Sequence, residues 1–365
     1  MLEITVENAA EYLRSRKAVG DGKVLVRPLS GGVAGSVLQI LDLEAGEKIG
    51  TDMRSESQKR RGVADTRPAV GHCFVIKQPL EKFRTAAEWL VDRDRIWIER
   101  DCMALLGGIL PTGSVPEVLW SDEENFVLAM SCAPVGSLTW KSELLQGRID
   151  PGAVRLSALL LAMMHASTTG SAECAARFGE QRGFIQQRID PYLKTTADQH
   201  PDLRGPIEQL ITMLLEKPLC LTHGDYSPKN MLVRTDAETK TTDLMLLDFE
   251  IAFFGRPVFD VATLINHLLL KGFHRRPAWR AYMIAADQFW HTYRTHAGPQ
   301  LAQETGATGG KMLGALMLAR MDGKSPVEYI VDAPTKEQIR QCARHLLTLP
   351  DDSLDSALDE AAMFF

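Results

Sequence analysis

The chain has 365 residues, 45% hydrophobic and 24% charged, which is enough apolar material for a core and too little charge excess for a disordered chain. Against a domain length of about 150 residues this predicts two domains, or two lobes of one. Asp and Glu number 47 against 41 Lys and Arg, a net charge of −6, which speaks against an electrostatic grip on nucleic acid or anionic lipid. Met1 to Glu7 carries early acids and no basic segment followed by an apolar run, so no signal peptide is expected. The longest apolar stretch, Ala158 to Met164, is too short to span a bilayer. A cytoplasmic protein with neither membrane nor nucleic-acid partner is expected. Cys73, Cys102, Cys132, Cys174, Cys220 and Cys342 are scattered without a Cys-x-x-Cys pair, so six reduced, mostly buried thiols are expected rather than a disulfide framework or a zinc site.

In chain order, a helix is predicted over Val6 to Arg16 with Thr5 as its N-cap. Two strands follow, Val24 to Leu29 and Val37 to Asp42, around a glycine turn from Ser30 to Ser36. Residues from about 44 to 68 mix both charge signs and read as a solvated loop. A third strand runs from His72 to Lys77, a helix carries Leu90, Ile96, Ile98, Met103 and Leu106, and strands cover Val115 to Trp120 and Asn125 to Met130. Beyond Pro134 long helices dominate, over Ala153 to Ser167, Pro206 to Glu216, Val258 to Lys271 and Trp279 to Thr295, with short strands near Cys220, Leu232 and Met245. The acidic, amphipathic tail from Asp351 to Glu360 is expected to be a helix packed on the larger part.

The segment richest in chemistry is Leu221-Thr222-His223-Gly224-Asp225-Tyr226-Ser227-Pro228-Lys229-Asn230, followed by Asp248 in Leu247-Asp248-Phe249-Glu250 at the end of an apolar run. An Asp, an Asn five positions later and a second Asp across a hairpin suit phosphoryl transfer from a magnesium nucleotide. The first carboxylate orients a substrate hydroxyl and accepts its proton, while the amide oxygen and second carboxylate are hard donors for Mg²⁺. Taken alone, Asp-x-x-x-x-Asn is common and His-Gly-Asp reads equally as a turn. It gains force from its order in the chain, after a glycine turn, a strand lysine and a helix glutamate. Lys77 closes an apolar strand, where an ammonium is costly without anionic company. Glu99 on the next helix is its expected partner, in preference to Asp94 and Asp101. Gly31, Gly32, Gly35 and Ser36 let a backbone approach phosphates, although the turn is neither a Walker loop nor a dinucleotide fingerprint. His165, closing an apolar helix, reads as a satisfied core histidine.

These stretches, with Val75-Ile76-Lys77 and Phe259-Asp260-Val261-Ala262, resemble the aminoglycoside phosphotransferase and choline kinase superfamily. The resemblance spans nearly the whole chain. It implies an α+β, two-lobed protein-kinase-like fold: a small β-rich N-lobe over residues 1–132 that binds nucleotide, and a larger helical C-lobe over 133–365 that carries the catalytic loop and the acceptor site. It further implies ATP held by the backbone around Met130 to Cys132, Lys77 on phosphates, Asp225 as base, Asn230 and Asp248 on Mg²⁺ with Glu250 as a further ligand candidate, and Asp260 bracing the loop. Within the group, Phe74 to Gln78, Asp92 to Arg95 and Phe253-Phe254-Gly255 look most like methylthioribose kinases, whose sugar-contacting arginine pair falls on Gly314-Ala315 here, with Arg320 and Asp322 nearby. The expected activity is ATP-dependent transfer to a hydroxyl of a small molecule such as a sugar, amino alcohol or aminoglycoside. The alternatives are methylthioribose kinase proper and a nucleotide-binding pseudokinase with a regulatory role, the latter opposed by the presence of Lys77, Asp225 and Asp248. Acceptor-recognition residues are expected in Phe178 to Tyr192 and His267 to Trp279, and the net acidity leans weakly toward a cationic acceptor. The sequence carries no signal of oligomeric state.

Overall fold

A computed structural model describes residues 2–29, 35–43, 73–81, 91–236 and 238–365. Gly31, Gly32, the whole loop over 44–68 and the start of the helix around Leu90 lie outside them. The chain divides into two units, Met1–Ala104 with Pro116–Pro134, and Leu105–Val115 with Val135–Phe365.

The first unit is built on five strands, β1 (Val24–Pro28), β2 (Gly35–Asp42), β3 (Cys73–Pro79), β4 (Val118–Asp122) and β5 (Val127–Ser131), in the order β1-β2-β3-β5-β4. Neighbours are antiparallel. Successive side chains alternate between faces, and the apolar set Leu38, Ile40, Phe74, Ile76, Val127 and Ala129 packs on Ala9, Tyr12 and Leu13 of helix α1 (Ala9–Ser15). By the same alternation Lys77, whose register partners are Val37 and Leu128, falls on the opposite side from Phe74 and Ile76. Helix α2 (Arg95–Ile109) supplies Glu99.

Helix α1 begins later than its sequence suggests. Thr5 is not its cap; the Asn8 side chain turns back to accept from Thr5 N–H at 2.8 Å, and Ala9 N–H donates to the Thr5 carbonyl. A local Asx-type turn thus takes up the residues before the helix. The expectation of six free thiols is also corrected, because Cys73 and Cys132 form a disulfide. Phe74 pairs with Ser131 in the β3–β5 ladder, so these two cysteines face each other one step further along. Their separation of 59 residues hid that until the strands were in register. Cys102, Cys174, Cys220 and Cys342 are buried and outside any disulfide.

The second unit is mainly helical: α3 (Trp140–Leu145), α4 (Pro151–Thr168), α5 (Ala172–Phe178), a π-helix (Ile185–Lys194), α6 (Arg204–Leu215), α7 (Val258–His274), α8 (Trp279–His296), α9 (Pro299–Asp322), α10 (Ala333–Thr348) and α11 (Leu354–Ala362). The tail helix α11 buries Leu354, Ala357, Leu358 and Ala361 and is anchored where Gly310 N–H of α9 donates to the Asp352 carbonyl. Two short ladders carry the loop of interest. Strand β6 (Leu138–Thr139) borders the hairpin β8 (Met231–Thr235) and β9 (Thr242–Leu246), and β7 (Cys220–Thr222) pairs with β10 (Phe253–Gly255). Among the described residues no helix is long and apolar enough to cross a membrane.

Candidate active site

In the first unit, Lys77 Nζ lies 2.7 Å from Glu99 Oε2, with both side chains nearly inaccessible. Asp101, the competing acid, is turned to Arg100 at 2.9 Å. Removal of either partner of an ion pair this deep is costly, because it leaves a charge buried. Gly35 and Ser36 begin β2, opposite Pro79 and Gln78, and Met130 is buried in β5 beside Val75.

In the second unit the segment from His223 to Asn230 joins β7 to β8, so its ends are fixed by two ladders. Gly224 adopts φ +76°, and a Cβ there would lie 2.6 Å from the Ile251 carbonyl oxygen. No other residue type fits that turn without displacing the backbone. The fully buried Asp260, in the first turn of α7, then collects the loop's amides: Oδ2 accepts from His223 N–H at 2.7 Å and Oδ1 from Gly224 N–H at 2.9 Å. The same Oδ2 is 3.2 Å from His165 Nε2, and Tyr293 Oη is 2.9 Å from His165 Nδ1, so this core histidine is satisfied at both nitrogens. His223 is likewise fixed, accepting from Asp225 N–H at Nδ1 and donating from Nε2 to the Leu247 carbonyl. Burial lowers its pKa, outweighing the nearby carboxylates, and the ring stays neutral.

Asp225 and Asn230 are thereby locked together. The Asn230 amide nitrogen donates to both the backbone carbonyl and Oδ2 of Asp225, each at 3.0 Å, which leaves the amide oxygen as the group able to face a cation. Leu247 N–H donates to the Asn230 carbonyl at 2.9 Å, continuing the β8–β9 ladder by one rung past Met231–Leu246. Asp248 follows immediately, in the left-handed region at φ +67°, a conformation that costs a non-glycine residue about 1 kcal/mol or more and is kept where the surroundings impose it. Glu250, two residues on, is buried. Two hard oxygen donors at the open end of one hairpin suit Mg²⁺, which prefers such ligands and keeps room for water and phosphate.

Two cations that the motif reading did not single out converge on Asp225. Arg188 of the π-helix places Nη2 2.8 Å from Asp225 Oδ2, and Lys229 Nζ reaches the same oxygen at 2.8 Å. Arg188 is fixed by donating from Nε to the Gly224 carbonyl and from Nη1 to the Gln187 carbonyl. Burial alone would raise the Asp225 pKa, but Arg188 and Lys229 outweigh it and hold the carboxyl far below the usual range. The π-helix, which contains Pro191, is the kind of widened turn that recurs at functional sites. Its sequence lies in Phe178 to Tyr192, the segment expected to carry recognition, although no motif marks Arg188 itself.

Gly314 and Ala315, where the resemblance puts an arginine pair, are buried in α9, and a Cβ on Gly314 would lie 2.7 Å from the Ala343 carbonyl of α10. Asp322 is bound by Arg340 at 2.7 Å and His200 at 3.0 Å, a structural engagement, whereas Arg320 turns to Tyr192.

The loop, its brace and the hairpin acid define a kinase-like phosphotransferase site. Residues 92–300, more than half of the chain, match the phosphotransferase enzyme family, and the chain belongs to it. Its architecture is α+β, with a small antiparallel sheet unit and a helix-rich remainder. The chain is similar to methylthioribose kinase of Yersinia enterocolitica, 24% identical over 328 residues that cover 75% of this chain and 80% of that one. It is 23% identical over 227 residues to methylthioribose kinase 1 of Oryza sativa subsp. japonica, covering 54% of this chain and about half, 51%, of the rice protein's length. Among solved structures, a choline/ethanolamine kinase family protein from Mesorhizobium loti matches with a TM-score of 0.49 and 15% identity over 97% of this chain and 99% of that chain.

Proposed function

We propose that the protein is an ATP-dependent small-molecule kinase, transferring the γ-phosphate to a hydroxyl of an acceptor of the sugar, amino-alcohol or aminoglycoside kind. The observation that carries this reading is the Asp225–Asn230–Asp248 arrangement at one hairpin end, braced by Asp260. Bound Mg²⁺ with ATP supplies the electrophilic phosphorus and draws charge from its oxygens. Asn230 and Asp248 would hold the ion, with Glu250 as the further acid close in sequence. Lys77, kept charged by Glu99, would take the α and β phosphates, and Gly35, Ser36 and the backbone from Met130 to Cys132 would lie along the nucleotide.

Asp225 receives the acceptor hydroxyl. Because Arg188 and Lys229 keep it ionised, it is a weak base that orients the O–H and takes the proton late, which suits a loose transfer in which the nucleophile gains little bonding early. The acceptor oxygen bonds to the γ-phosphorus as the β–γ bridge breaks, ADP departs, and the hydroxyl proton passes to Asp225 and then to solvent. We place the activity in the cytoplasm, where ATP is abundant. Asp225→Asn is expected to lower turnover by about 10² or more, the scale of a lost general base, with ATP binding retained. Turnover within a few-fold of the unmodified protein would remove Asp225 from this role.

A further inference from the structure

Arg320 and Lys271, in the second unit, form no ion pair among the described residues. Arg320, in the last turn of α9, donates from Nη1 to Tyr192 Oη at 2.8 Å and Ser325 Oγ at 3.1 Å, both neutral groups, while its Nε is buried without a partner. Lys271 is 1% exposed; its Nζ donates to the His267 carbonyl at 3.1 Å and sits 5.4 Å from the Tyr329 ring centroid. The acid that influences it, Glu328, is itself paired with Lys141. Burial, with Lys141 and Arg320 adding to it, pushes the Lys271 ammonium down to about 7. Such charges are expensive to hold in a protein interior unless a counter-charge answers them.

Arg320 is linked to Asp225 through Tyr192 and Arg188, and Lys271 is linked to it through His267. The Tyr192 ring carries the Arg188 guanidinium at 5.2 Å and the Arg320 guanidinium at 5.5 Å from its centroid, and Arg188 is the partner of Asp225. On α7, Thr263, Asn266, His267 and Lys271 recur at i, i+3, i+4 and i+8, so they share one face of the helix, between Asp260 in its first turn and His274 at its end. His267 on that face is influenced by Lys271 and Arg320 on one side and by Asp225 and Lys229 on the other. Thr263 Oγ1, Asn266 Oδ1 and Tyr329 Oη are buried with no hydrogen-bond partner, and Thr263 and Asn266 are more than nine-tenths buried. The face that holds Lys271 thus carries spare hydrogen-bonding groups, and the one acid that influences both Lys271 and Arg320, Glu328, is already paired with Lys141.

We propose that the acceptor is an anionic alcohol, whose carboxylate or phosphate is received by Arg320 with the charge of Lys271 behind it, while its hydroxyls meet the α7 face. The inference rests on the phosphotransferase reading and names its substrate class, opposite in sign to what the net charge of −6 suggests. The test compares matched acceptors with the full-length protein and Mg-ATP: glycerate and gluconate for a carboxylate, glycerol 3-phosphate for a phosphate, glycerol and glucitol as neutral counterparts, and glucosamine as a cation. Phosphorylation is read as ADP release, and binding as the thermal shift of the nucleotide-saturated protein. One anionic arm is expected to exceed its neutral counterpart in kcat/KM by at least about 10-fold, the scale of one charge-assisted hydrogen bond. Arg320→Gln should raise KM for that acceptor by about 10- to 100-fold with kcat little changed, and Arg320→Lys should recover part of it. Lys271→Met should raise KM for the anion alone while raising the melting temperature, a combination a purely structural lysine would not give. A neutral or cationic acceptor preferred over every anion, an unmoved KM in Arg320→Gln, or no thermal shift with any anion overturns the inference while the kinase reading stands. Absence of both ATP binding and ADP release overturns the kinase reading, and the inference with it.

Discussion

Asp260 is the point at which the loop can be tested most directly. Its carboxylate is 0% exposed and accepts from His223 N–H, Gly224 N–H and the His165 ring. Asp260→Ala leaves two backbone amides and an imidazole N–H buried without an acceptor. At about 1–3 kcal/mol for each of three stranded donors, the expected loss is roughly 3–9 kcal/mol, a large part of a typical folding free energy of about 5–15 kcal/mol. Asp260→Asn keeps the volume and one oxygen but turns an N–H toward an existing donor, so about 2–3 kcal/mol should be lost. Urea unfolding followed by circular dichroism gives both values from the shift in midpoint at constant slope. Because the same amides set the position of Asp225, activity should fall further than the folded fraction does. A loss below about 1 kcal/mol in Asp260→Ala would refute the reasoning, since it would mean that these donors find other partners.

Three further expectations follow from the same coordinates. Lys77→Met should destabilise the protein by about 3–5 kcal/mol by stranding Glu99, and Lys77→Met with Glu99→Leu should regain most of that, as chemical denaturation of the single and double variants will show. For Lys271, the folded pKa of about 7 lies below the ordinary lysine value of 10.5, so the unfolded chain binds the extra proton between those values and stability rises with pH across that window. Measured against Lys271→Met, the penalty should be largest at pH 7 and below, roughly 2–4 kcal/mol, and should shrink toward pH 10; a difference independent of pH would contradict it. Thiol titration of the denatured protein should give four free cysteines without reductant and six with it; closure of the chain between Cys73 and Cys132 is worth about 4 kcal/mol in the chain-entropy model, so reductant should lower the melting temperature.

The element sequence was legible from periodicity because each strand or long helix buries one face against a partner. The β-strands of the first unit alternate, and α4, α7 and α8 repeat at helical spacing, so their boundaries fall within a few residues of expectation. Local choices were less legible. The Asn8 side chain displaced Thr5 from the start of α1 because side-chain-to-backbone bonds over three residues compete with capping at nearly equal energy. The π-helix was not legible as such, because a one-residue widening of a helical turn leaves no compositional trace.

For the site, the residues that close short covalent distances were visible in the sequence. His223-Gly224-Asp225, Asn230 and Asp248 are brought together by one loop and one hairpin, and a motif can encode a geometry that local backbone bonds enforce. What only the tertiary structure decided is which distant charges surround them. Arg188 reaches Asp225 across 37 positions, Arg320 approaches through Tyr192, and Cys73 meets Cys132 by strand register. Such partners arise from packing of separate elements, where many residue types at many spacings satisfy the same fold, so no linear pattern records them. The phosphotransferase family was therefore legible in the chain's local order, whereas the charges gathered around Asp225 were set only once the helices were in place.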